Sequence, residues 1–142
     1  MRLLRVLLFT ALVSTSQAAS AVCWIAATGP SFGAYDPLSP SPVDAAGNVQ
    51  YLCTSPVRVG ISAGGSGTFA SRTMQSGASS LAYNLYSDAA RTQVWGDGTG
   101  GSGAPTVAAG LFQSVPIYGR IPAGQDVGTG SYSDSLVVTF TF

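Results

Sequence analysis

The sequence predicts an all-β domain of the immunoglobulin-like sandwich class, and three observations point there. Short runs of alternating apolar and polar residues recur along it, Gly- and Pro-rich turns separate them, and no stretch shows the 3.6-residue apolar period of an amphipathic helix. The 142 residues include 18 Gly and 8 Pro, which supplies turns yet stays under the roughly 25–30% of low-complexity chains. The length suits one domain, and no composition shift marks a linker or a repeat.

Residues 1–21 read as a secretory signal. Arg2 and Arg5 form the positive start and Val6–Val13 the apolar middle, with Ser16-Gln17-Ala18 and Ala19-Ser20-Ala21 as alternative cleavage sites. The apolar run is too short to cross about 30 Å of hydrocarbon, and no later segment offers a transmembrane span. A lipidated Cys23 is the alternative, but Val22 is bulky where such a site needs a small residue. The domain is then 22–142, exported through the secretory pathway. Loss of Arg2 and Arg5 leaves four of six Arg against six Asp, a net charge of −2. In an oxidising compartment the two thiols, Cys23 and Cys53, are expected to form a disulfide, since redox chemistry prefers closer spacing and a metal shell needs more ligands.

The strands follow in order. Asn48–Thr54 places Val49, Tyr51 and Cys53 on one face, and Pro56 ends the run. Val57, Val59 and Ile61 alternate with Arg58, Gly60 and Ser62, and Leu81, Tyr83 and Leu85 with Ala82, Asn84 and Tyr86. A further strand gathers Val115, Ile117 and Tyr118 around Pro116. Ala63–Gly67, Trp95–Gly101 and Ala123–Asp126 are the turns between them. Tyr132–Phe142 reads as a last strand, with Leu136, Val138, Phe140 and Phe142 sharing a face. Chain ends fray unless tied down, so Phe140 and Phe142 belong inside a sheet. This strand either completes the sandwich or leaves it one strand short, with those four residues along an open, strand-accepting edge.

Chemistry is scarce. There is no His, Lys or Glu, hence no imidazole base, no His metal ligand, no Walker lysine and no Schiff base. Balanced, sparse charge argues against nucleic acid. Gly98–Gly103 matches G-x-G-x-x-G but precedes no helix and lies in a glycine-rich loop. Asp88 with Asp97, or Asp126 with Asp134, would have to converge to act as a glycosidase pair, yet all four sit beside turn formers, where Asp bonds its own backbone. Asp97-Gly98 offers too few oxygens for calcium. The reading is a non-enzyme with no cofactor and no metal. Trp95, with Asp97 beside it, is either an exposed anchor for a surface or sugar or a core residue next to a turn, the second being favoured.

Several segments together resemble the spore coat protein U domain. They include Cys23 with Phe32-Gly33-Ala34-Tyr35-Asp36-Pro37, Val49–Thr54, Arg72-Thr73-Met74, Leu81–Tyr86, Asp88–Thr92 and Val94–Gly98. Pro116–Ile121 and Gly130–Leu136 continue the likeness, which covers nearly all of 22–142 in order. That family includes subunits of archaic chaperone–usher pili, which serve adhesion and biofilm formation. The resemblance implies an incomplete immunoglobulin-like sandwich lacking its last strand. A periplasmic chaperone would lend a strand, an outer-membrane usher would handle assembly, and the N-terminal extension of a neighbouring pilus subunit would replace the loan, in the periplasm first and at the cell surface afterwards. Two features depart from the family pattern. Cleavage after Ala18 would leave only residues 19–22 before Cys23, shorter than a usual strand of about 5–6 residues, which implies a tip, minor or non-polymerising member. The penultimate residue is Thr141 where better-known pilins tend to carry Tyr. A self-sufficient coat or matrix protein and a carbohydrate- or surface-binding module are the alternative readings.

Overall fold

The computed structural model describes residues 20–142, so most of the expected signal segment lies outside the described residues. Eight strands form, β1 (Cys23–Thr28), β2 (Val43–Cys53), β3 (Val57–Ile61), β4 (Arg72–Ser76), β5 (Ser79–Tyr86), β6 (Thr106–Val107), β7 (Gly110–Ile121) and β8 (Val138–Thr141), with one 3₁₀ turn at Gly64–Ser66. They build a five-stranded sheet in the order β1-β2-β7-β5-β4 and a three-stranded sheet in the order β6-β3-β8. Every pairing between strands is antiparallel. The all-β sandwich expected from alternation and turn spacing is the observed architecture, and Cys23 is disulfide-bonded to Cys53, tying β1 to β2.

Alternation dictates what each strand buries. Val49, Tyr51 and Cys53 of β2, Val57, Val59 and Ile61 of β3, and Leu81, Tyr83 and Leu85 of β5 are all in the core between the sheets. Each such aliphatic or aromatic side chain contributes about 1.5–3 kcal/mol on leaving water. Pro116 sits inside β7 opposite Asn48, but β5 pairs only with residues 118–120, so the edge away from β2 is free there and the missing N–H breaks no ladder.

Three strands were not legible in the pattern. In β1 the burial alternates with no period of two, because the strand lies at a sheet edge and keeps Trp24 half-exposed. In β4 an arginine, Arg72, takes an inward position next to Met74, which hides the apolar row. β6 is only two residues long. The last strand is shorter than its apolar pattern implied. Ser133 exchanges backbone hydrogen bonds with Gln75 of β4 at 2.8 and 3.1 Å, whereas residues 138–141 pair with β3. The segment crosses from the edge of one sheet to the other, so one ladder cannot hold Tyr132–Phe142 throughout. Phe142, expected in the inward row, lies beyond β8 and is 65% exposed, because the ladder ends with Thr141 opposite Arg58.

Candidate functional site

Among the described residues β8 pairs with β3 alone, in the register Val138–Ile61, Phe140–Val59 and Thr141–Arg58. Just before it, the Val137 carbonyl accepts from the Ser62 amide at 2.9 Å, so odd-numbered residues turn their polar backbone groups toward β3. By the alternation of an antiparallel ladder, Val138 and Phe140 direct theirs to the other side, where no strand is paired among the described residues. Their side chains face inward. Leu136, Val138 and Phe140 pack against the core, and the Phe140 ring lies 6.3 Å from that of Tyr51.

A groove runs beside this edge. Two cavities, of about 720 and 250 Å³, share Pro30, Leu85, Asp134 and Leu136 and so form one continuous depression. Pro30, Phe32 and Tyr35 make one wall, residues 127–136 the other, and Met74, Leu81 and Tyr83 the floor. The first wall is seated by two glycines. A Cβ on Gly47 would collide with the backbone of residues 28–30, and one on Gly119 with the Phe32 ring. The chain leaving β1 therefore crosses β2 and β7 in close contact. Tyr35 fixes the far end of that wall, its hydroxyl donating to the Pro122 carbonyl at 3.0 Å and accepting from the Gln125 amide at 2.8 Å. The Gln125 side chain in turn bonds both backbone groups of Ala82, standing in for a strand neighbour.

A polar cluster braces the sheets behind the groove. Arg72 is fully buried, and its guanidinium donates to the carbonyls of Ser62, Ile61 and Trp95 and to Asn84 Oδ1 at 2.6–3.2 Å. It also stacks over the Phe69 ring at 5.3 Å. Burial lowers its pKa from the ordinary guanidinium value, with Tyr83 and Asp134 opposing the change. The Tyr83 hydroxyl donates to Asp134 Oδ2 at 2.7 Å. Burial, reinforced by that hydrogen bond, pushes Tyr83 well above its usual range.

The remaining singled-out residues separate. Trp95 is wholly buried, its indole N–H donating to the Val59 carbonyl at 2.9 Å, so the exposed-anchor reading of Trp95 is corrected: it fills the core. Asp97 stays at the surface and accepts from the Thr99 amide and hydroxyl, which hold its carboxyl below the usual range. Asp88 does the same for Thr92 and Gln93. Both acids are thus engaged within their own turns, while Asp134 is drawn to the groove. Among the described residues no three Cys or Asp side chains come together as a metal shell. Gly47, Gly119 and Asp134 were not singled out for the groove by the sequence, because a role set by what passes overhead leaves no local spacing signal.

Two antiparallel sheets with one disulfide and a last strand paired on one side among the described residues define a pilin-like all-β sandwich. The chain belongs to the Spore Coat Protein U domain family, whose model matches residues 9–139. It is 38% identical over 126 residues to Protein U of Myxococcus xanthus, covering 78% of this chain and 70% of that protein. Its fold is similar to a chain in the crystal structure of the CsuC–CsuE chaperone–tip adhesion subunit pre-assembly complex from the archaic chaperone–usher Csu pili of Acinetobacter baumannii. There the TM-score is 0.60 and the identity 20%, over 86% of this chain, which spans 40% of the length of that solved chain.

Proposed function

We propose that this protein is an exported, non-enzymatic subunit of a chaperone–usher-type surface fibre, completed by a strand from another polypeptide and serving adhesion and biofilm formation. The observation that carries the reading is the one-sided pairing of β8 beside a groove that Leu136 and Val138 line. An added strand would gain main-chain hydrogen bonds along β8, and its alternate side chains would enter the groove. The fold likeness to the Csu complex, in which the relative is held with its chaperone, and the disulfide, which suits an extracytoplasmic compartment, support the same reading. A periplasmic chaperone would supply the strand first, the outer-membrane usher would then handle the subunit, and a neighbouring subunit would follow. The family's description as a spore coat domain favours a second reading, a self-sufficient coat or matrix component.

Co-expression with the candidate chaperone separates the two. The pilus reading expects a one-to-one complex, lost when Phe140-Thr141-Phe142 is removed. A soluble, folded monomer secreted without any chaperone, and an unchanged yield on truncation, would favour the coat reading.

A further inference from the structure

We infer that Asp134 sets the register of the incoming strand by requiring a hydrogen-bond-donating side chain, such as Ser, Thr or Asn, at the one donor position opposite it. This rests on the strand-acceptor reading above. Along the second wall and into β8, the half-buried, inward positions are Tyr132, Asp134, Leu136, Val138 and Phe140, so a single acid interrupts an apolar row. Among the described residues it is the only charged side chain lining either cavity, and it lines both, at their junction.

Asp134 is held in place. Oδ1 accepts from the Gly65 and Ser135 amides at 3.0 and 2.9 Å, and Oδ2 accepts from the Tyr83 hydroxyl at 2.7 Å. Gly64, at φ +68°, packs against the carboxylate so closely that a Cβ there would collide with it. A carboxylate has about four acceptor sites, and three are used, which leaves one on Oδ2. Water can fill that site while the groove is open. A docked strand excludes the water, and an apolar side chain opposite would then leave a buried acceptor without a donor. Side chains directly opposite on paired strands share a face. A slip by one residue turns the donor row outward, and a slip by two brings an apolar residue onto Asp134.

The test uses the full mature chain and a family of synthetic peptides with alternating Val. The parent has Val at every inward position, and each relative carries one Thr at a different inward position. One Thr peptide is expected to bind about tenfold or more tighter than the parent, the others no tighter than the parent. In Asp134→Leu the parent is expected to bind best. If the parent matches the best Thr peptide on the unaltered chain, the register inference is overturned while the acceptor reading stands. If no peptide binds, the acceptor reading fails and the inference with it. The series on the unaltered chain decides the matter even if Asp134→Leu does not fold.

Discussion

Arg72 shows how a single side chain links the two sheets. It starts on β4 of the five-stranded sheet, bonds carbonyls at the end of β3 in the other, and reaches Trp95 between them. Arg72→Met keeps much of the volume but leaves Asn84 Oδ1 and the Trp95 carbonyl without this donor. A loss of about 2–4 kcal/mol is expected, since buried acceptors left without a donor cost about 1–3 kcal/mol each, read by urea denaturation. Tyr83 yields a pH dependence. Its phenol ionises near pH 10 when unfolded, and burial with the Asp134 bond raises that value in the fold. The unfolded chain therefore binds fewer protons above pH 10. The stability from this group is full below that pH and falls as pH rises toward the folded-state value. A denaturation midpoint that drops above pH 10 in the parent but not in Tyr83→Phe is the expected result. Sequence alone hid both residues' roles. An arginine on a strand reads as a solvent-facing residue, and nothing local marks Tyr83 as the partner of an acid 51 positions away.

At the scale of elements, β2, β3, β5 and part of β7 were legible because each buries one face and exposes the other, the condition under which a period of two appears. β1 and β4 lie at the sheet edges, and β4 turns a charge inward, so the rule has nothing to register there. The groove was half legible. Leu136, Val138 and Phe140 stand out as an apolar row, but the wall formed by residues 30–35 follows from how the chain crosses Gly47 and Gly119. Gly47→Ala is expected to cost about 1–3 kcal/mol, the usual penalty for forcing backbone apart in a packed site, and to weaken donor-strand binding along with stability. Thermal unfolding checks the first effect and peptide titration the second.

For the molecule as a whole, few charges and a last strand paired on one side only among the described residues, beside an apolar groove, are the features on which the proposed donor-strand association rests. Four or five donor side chains at about 1.5–3 kcal/mol each amount to the order of 10 kcal/mol gross, comparable with the entire stability of a typical domain. A peptide held at about 100 times its dissociation constant is expected to add about 2.7 kcal/mol to the folding free energy. The accompanying rise in melting temperature is measurable by calorimetry, and a flat response would count against a strand-accepting groove.

The Cys23–Cys53 bond also bears on how force travels. Cys23 opens β1, the edge strand, and Cys53 closes β2, which shares a long ladder with β7 in the middle of the five-stranded sheet. Tension applied at residue 22 therefore bypasses the weak outermost ladder and enters the broad sheet through a covalent link. The first strand cannot be unzipped residue by residue from that direction, so the domain is reinforced where a traction on its leading end would otherwise peel it open.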